Sequence, residues 1–277
     1  MPPVGALLGA LSSLCVGGSE FFGRRSSQVT GVLAVGVFAH GVACFVSLAT
    51  VTVIPSAFSM DDFLIGAASG IGFGFGMILY LGGMLRSSST IVAPLGAVLM
   101  VVIPVGYASL LDGVPSILVV VGVALAVLGL VLITKGVGVV GRIRPGLLWG
   151  TGAGVSYGLG LSILMETEGA SGSWPGTAQR LVACLVAVAL TLSRRKVLVP
   201  QIGTRIWAVL SGVCGAAASL TYILAVQDNP LPAAVTGAMF PAVSVALGRV
   251  VFGDEVRRSQ GLGLVLTLTG VGAVVAG

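Results

Sequence analysis

Charge is what this sequence has least of. Only 8% of its 277 residues are Asp, Glu, Lys or Arg, 56% are hydrophobic, and the mean hydropathy is +1.11. A soluble domain carries about 25% charged residues, so a water-soluble globular class is excluded. Histidine occurs once, at His40, and the four cysteines (Cys15, Cys44, Cys184, Cys214) fall inside apolar runs without paired spacing. That leaves no disulfide framework and no Cys/His metal site to predict. Basic residues are not interleaved with aromatics, which argues against a nucleic-acid-binding face. A membrane enzyme would need clustered His, Asp or Cys at the membrane face, and the sequence offers only scattered ones. It also has no nucleotide-binding loop, so ATP is not expected to drive it directly, and no cofactor is expected.

Long hydrophobic runs are what the sequence has in abundance. A helix crossing the hydrocarbon core needs about 20 apolar residues. On that basis ten spans are expected, at 4–23, 29–54, 62–84, 89–110, 115–134, 146–165, 177–193, 205–226, 231–252 and 259–276. Short polar breaks separate them, beginning with Arg24-Arg25-Ser26-Ser27 and including the linker KGVGVVGRIRP at 135–145. The first run has no basic residue before Arg24 and reads as a span, not a cleaved signal. Thirteen of the 14 basic residues fall on one side of this threading, and only Arg180 falls on the other, with Asp61, Asp62, Asp112, Glu166, Glu168 and Asp228. By the positive-inside rule the basic side is cytoplasmic, which puts both termini outside.

The two halves also match one another. Gly5, Gly9 and Gly17 recur as Gly146, Gly150 and Gly158, Tyr80 recurs as Tyr222, and Gly122 and Gly129 recur as Gly263 and Gly270. The offset is 141 to 142 residues throughout. With five spans each, the second half must lie inverted relative to the first, an arrangement typical of secondary transporters. The expected fold class is an all-α integral membrane protein of ten helices in two inverted five-helix repeats. The repeats cover 1–134 and 146–277, with a cytoplasmic linker at 135–145.

The segments CVGGSEFFGRRSS, STIVAPLGAVLMVVIP, WPGTAQRL and FPAVSVALGRVVFGDEVRRSQGLGLVLTLTGV resemble the ten-helix EamA branch of the drug/metabolite transporter superfamily. The resemblance covers nearly the whole length. It implies a secondary carrier of a small metabolite such as an amino acid, nucleobase or organic cation, working by alternating access in the cytoplasmic membrane. Export, coupling to protons or another ion, and a monomeric or homodimeric state go with it. The alternative on the same fold is a flippase for a lipid or lipid-phosphate. Where the family usually carries a shorter acid, this chain has Glu20.

Six residues are candidates for function. Glu20 either pairs with Arg24 four residues on or faces a central cavity as a proton carrier, since a carboxylate is costly against lipid. His40 either bonds to a neighbouring helix or relays protons. Arg180 either pairs with Glu166 or Glu168 or binds an anionic substrate group. Tyr80, Tyr157 and Tyr222 combine an apolar ring with one hydroxyl, which suits both packing and recognition of an amphipathic solute. Trp149, Trp174 and Trp207 read as interface anchors, and Pro94, Pro104 and Pro241 as interruptions of spans. The run GIGFGFG (70–76) lies mid-span, with no strand before it, and reads as a helix-packing surface instead of a phosphate loop.

Overall fold

The computed structural model describes residues 4–87, 89–113, 115–134, 143–237, 239–240, 243 and 258–276. Among these residues all regular structure is helical: α1 (Val4–Thr30), α2 (Val32–Val51), α3 (Met60–Arg86), α4 (Ser89–Asp112), α5 (Ile117–Thr134), α6 (Ile143–Ile163), α7 (Trp174–Ser193), α8 (Arg205–Asp228), α9 (Pro230–Gly237) and α10 (Arg258–Ala276). Short 3₁₀ turns lie at Leu164–Glu166, Gly169–Ser171 and Ile202–Thr204. Six helices, α1, α2, α3, α6, α7 and α8, belong to segments long and apolar enough to cross a membrane, and α4, α5 and α10 contain shorter apolar stretches. The chain is an all-helical membrane protein. Most of the expected ninth span and of the 135–145 linker lies outside the described residues.

One expected boundary is corrected. The first helix does not stop at Arg24-Arg25-Ser26-Ser27 but runs on to Thr30. Nothing in that tetrapeptide breaks a helix, and packing holds it: Ser26 is buried, and its hydroxyl donates to the Thr204 carbonyl at 3.2 Å. The break falls at Gly31, whose φ of +95° suits only glycine. At the far end of α2 the helix stops at Val51, ahead of Pro55, which disfavours helical conformation in the residue before it. α7 begins at Trp174 with Pro175 in its first turn, where no amide hydrogen is needed.

Small residues set the packing. In lipid, close approach of backbones replaces the hydrophobic drive that assembles soluble bundles. Gly66, Gly70 and Gly74 of α3 lie against α7, and Gly72 and Gly76 lie against α6. A Cβ on Gly74 would fall 2.8 Å from Val186, and one on Gly76 would fall 2.8 Å from the Tyr157 ring. The glycine run is therefore a packing surface with two edges. α1 and α8 pair through polar contacts: Ser19 Oγ donates to Ser211 O and Ser211 Oγ to Ser19 O, each at 2.8 Å. A matching bond joins α3 to α6, from Ser69 Oγ to Gly160 O at 2.7 Å.

The two ends of the bundle differ in chemistry. At one end Asp62 is 3% exposed, and its carboxylate accepts from the Glu168 amide (3.3 Å) and the Ser171 hydroxyl. There too Ala57 N donates to Ala170 O at 2.8 Å, and Gly5 N donates to Asp228 Oδ2 at 2.6 Å. The Asp62 and Ala57 bonds clasp the start of α3 and the α2–α3 loop to the α6–α7 loop, and the Gly5 bond ties α1 to the end of α8. At the opposite end the Arg25 guanidinium lies over Trp207 at 4.6 Å and that of Arg86 over Trp149 at 5.2 Å.

Candidate functional site

Glu20, His40, Tyr80, Tyr157, Arg180 and Tyr222 all line one cavity. They come from six helices, α1, α2, α3, α6, α7 and α8. Met100 from α4 and Gly237 from α9 complete the wall, so elements of both halves contribute. The cavity measures about 50 Å³. A water needs about 10–15 Å³ by this measure, so the space holds a few waters. Sites for small organic molecules run to about 300–1,000 Å³. The cavity as it stands is well below that size.

Arg180 organises the wall. It is 6% exposed, and its Nη2 donates to the Gly215 carbonyl at 2.5 Å and to the Ser219 hydroxyl. The guanidinium packs against Gly215, where a Cβ would stand in ordinary contact 3.5 Å from Nη1. The guanidinium also lies 5.1 Å from the Phe73 ring centroid. Nη1 meets His40 Nδ1 at 3.4 Å. Arginine only donates, so Nδ1 accepts and the ring proton resides on Nε2. The alternative in which Arg180 pairs with Glu166 or Glu168 is not the arrangement found. Glu166 instead accepts from the Tyr107 hydroxyl at 2.6 Å, and the Glu168 amide serves Asp62. The pairing reading followed nearness in sequence, whereas the helix turns Arg180 inward to α2 and α8.

Glu20 stands at another part of the same wall, with the Tyr80 hydroxyl facing its carboxyl. The helix is regular past Gly23, yet no ion pair forms with Arg24, which points outward and is exposed. Tyr157 has both Glu20 and Arg180 within electrostatic reach. The cavity is thus bipolar, with a cation and an acid lining one small space and a phenol near both.

Four buried polar atoms on this wall have no hydrogen-bond partner: Glu20 Oε1, His40 Nε2, Arg180 Nε and Tyr222 Oη. Each comes from a different helix. An unsatisfied buried donor or acceptor costs about 1–3 kcal/mol, more when charged. A solute or water entering the cavity would satisfy them.

Sequence reasoning missed the support behind Arg180. Ser219 Oγ donates to Gln179 Oε1, Gln179 Nε2 donates to Ser69 Oγ at 2.8 Å, and Ser69 closes the chain on Gly160 O. This network ties α8, α7, α3 and α6 together. The signal was a glutamine next to the arginine in WPGTAQRL, a second buried polar residue where one had already been noticed. Of the three prolines, Pro104 is buried in a helix that continues through it, the side chain of Pro94 is not described, and Pro241 lies outside the described residues.

No protein-family model matches the chain, and no curated protein matches it. Its fold is similar to that of a solved structure described as "Crystal structure of protein", with a TM-score of 0.79 at 16% identity. The match covers 98% of this chain and 96% of that one. The helical arrangement has therefore been seen in a protein of nearly the same length, and at that identity the likeness concerns the fold alone.

Proposed function

We propose that this chain is a secondary transporter that carries a small metabolite across the cytoplasmic membrane by alternating access, built as ten helices in two inverted repeats of the EamA type. The observation that carries the reading is the cavity with four unpartnered polar atoms from four helices. Intramembrane ionisable groups are costly and mark substrate or ion pathways.

Equivalent contacts in the two halves support the repeat. Ser69→Gly160 and Ser211→Ser19 are the same bond displaced by 142 and 141 residues, with the order of the halves reversed. The Tyr80 ring approaches Gly96 near the Gly150 carbonyl, and the Tyr222 ring approaches Gly237 near the Gly9 carbonyl. In both pairs the neighbouring helix supplies a glycine in place of a side chain. With the basic end cytoplasmic, both termini face outside, and the Asp62 clasp closes the outer mouth of the cavity.

The substrate is a small solute with an anionic or strongly accepting group directed at Arg180 and an apolar or amphipathic body against Phe73 and the tyrosines. Glu20 is the coupling residue: with one carboxylate oxygen unpartnered, it is placed to take a proton in one half of the cycle and release it in the other. Export is the direction implied by the family resemblance.

The test is a panel of radiolabelled amino acids, nucleobases and quaternary amines in proteoliposomes, with and without a pH gradient. The Glu20→Gln variant then separates the steps. Counterflow retained with proton-driven accumulation lost supports coupling at Glu20. Full accumulation by a folded Gln variant would end that assignment and move the proton to His40. If no solute in the panel moves, the transporter reading fails.

A further inference from the structure

A second space lies away from the central cavity, at the basic end between α2, α3, α6 and α7. It measures about 640 Å³. Its floor lies where Gly36 of α2 meets α3 and α7: a Cβ there would stand 3.6 Å from Ile78 and 3.8 Å from Ala187. Leu33, Phe75, Leu79 and Leu190 line the depth, and Phe75 is 40% exposed, so the groove is open on the lipid side.

Its mouth carries Arg86, Arg194 and Lys196, and no carboxylate is among the residues that line it. Two features keep these residues beside the groove. The Arg86 guanidinium lies over Trp149 at 5.2 Å, and the chain reverses after α7 with Arg195 at a φ of +50° and the Lys196 backbone amide donating to Thr191 O at 3.0 Å. On the facing wall the first turn of α2 begins after Gly31 without a side-chain cap. Amide hydrogens there add to the positive field of the mouth.

We infer that this groove is a binding site for one anionic phospholipid, whose phosphate sits among Arg86, Arg194 and Lys196 and whose acyl chain lies along Phe75 and Leu79. A soluble anion would leave the apolar depth unfilled, and a zwitterionic lipid would bring its own cation to a mouth that already holds three. Basic pockets between transmembrane helices take acidic headgroups for this reason. The site is independent of the transport reading, because it needs only that the chain sits in a bilayer.

The experiment is native mass spectrometry of the full chain, purified in detergent and supplied with equal phosphatidylglycerol and phosphatidylcholine. Each cation contributes about a fivefold preference near the surface, so three give phosphatidylglycerol an advantage of about 100-fold in the first bound lipid. Arg86→Gln/Arg194→Gln/Lys196→Gln should reduce that preference to near parity. Leu33→Trp keeps every charge and fills the groove, and it should also lose the tightly held lipid. This second variant keeps the test decisive if the triple variant fails to fold. The inference is overturned if the triple variant keeps the native preference. It is equally overturned if Leu33→Trp binds phosphatidylglycerol like the native chain, which would mean diffuse surface charge, or if free glycerol 3-phosphate displaces the lipid at equal concentration.

Discussion

Arg180→Met offers the sharpest separation between a group kept for folding and a group kept for a solute. The substitution keeps an unbranched, flexible side chain of similar volume, shortens it and removes its charge. Three bonds go with it, to Gly215 O at 2.5 Å, to Ser219 and, longer at 3.4 Å, to His40 Nδ1; the two short ones are worth about 1.5–3 kcal/mol each. The contact with Phe73 at 5.1 Å adds about 0.5–2 kcal/mol. Against these losses stands the cost of burying a guanidinium with no carboxylate paired to it, itself several kcal/mol. Gly215 O lies inside a helix, and Ser219 retains Gln179, so neither is abandoned. The opposing terms are of one size, and the net change in stability should lie within about 2 kcal/mol of zero. Transport behaves differently, because a solute that uses the guanidinium loses a charge-assisted bond with nothing to offset it, a fall of about 10- to 160-fold in affinity. The assay is thermal unfolding by fluorescence-detected size exclusion, paired with counterflow by the same preparation in proteoliposomes. Unfolding close to native with transport lost is the expected result. A variant that melts far below the native chain, yet transports with native affinity per folded molecule, would refute the reasoning and make Arg180 a structural group.

Other outcomes follow from the same geometry. Tyr80→Phe, Tyr157→Phe and Tyr222→Phe keep their rings and each lose one hydroxyl, so those that touch the solute should weaken apparent affinity by about 2- to 13-fold; three native affinities would remove the hydroxyls from the site. Asp62→Asn weakens the bonds to Ser171 and Glu168 by about 1–3 kcal/mol, and a cysteine at Ser173 should then react faster with an impermeant maleimide. An unchanged rate would mean that the clasp does not hold that end shut. Single cysteines at Gly138 and Gly277, in a background without the four native ones, should label from opposite sides of the membrane, and labelling from one side would refute the assigned orientation.

The candidate site was legible because charge is so rare in this chain. Glu20, His40 and Arg180 stand out against apolar surroundings, and the internal repeat singled out Tyr80 and Tyr222. The structure brings all of them to one cavity. Their partners were not legible. Local pairing suggested Arg24 for Glu20 and Glu166 or Glu168 for Arg180, since nearness along the chain is all that a sequence offers. In the fold, Arg180 finds a backbone carbonyl 35 residues away and a histidine 140 residues away. Gln179, Ser69 and Ser219 escaped notice because uncharged polar residues are common enough in membrane helices to carry little signal alone. The end of α1 was misjudged for a related reason: polar residues look like a loop, but what ends the helix is the backbone freedom of Gly31.

The reciprocal serine bonds between α1 and α8 have a mechanical consequence. α1 is 27 residues long, a rod of about 40 Å at 1.5 Å per residue. Ser19 and Ser211 pin it to α8 a little past its midpoint, close to Glu20. Its first turn touches Asp228, and its last touches Thr204. Ser12 adds a bond to Ala218 O between these points, and a rod bonded at both tips, at its middle and between cannot tilt against its neighbour, so α1 and α8 form one rigid pair. Glu20, one residue from the Ser19 bond, is carried with that pair, and any motion that changes its surroundings comes from the helices facing it.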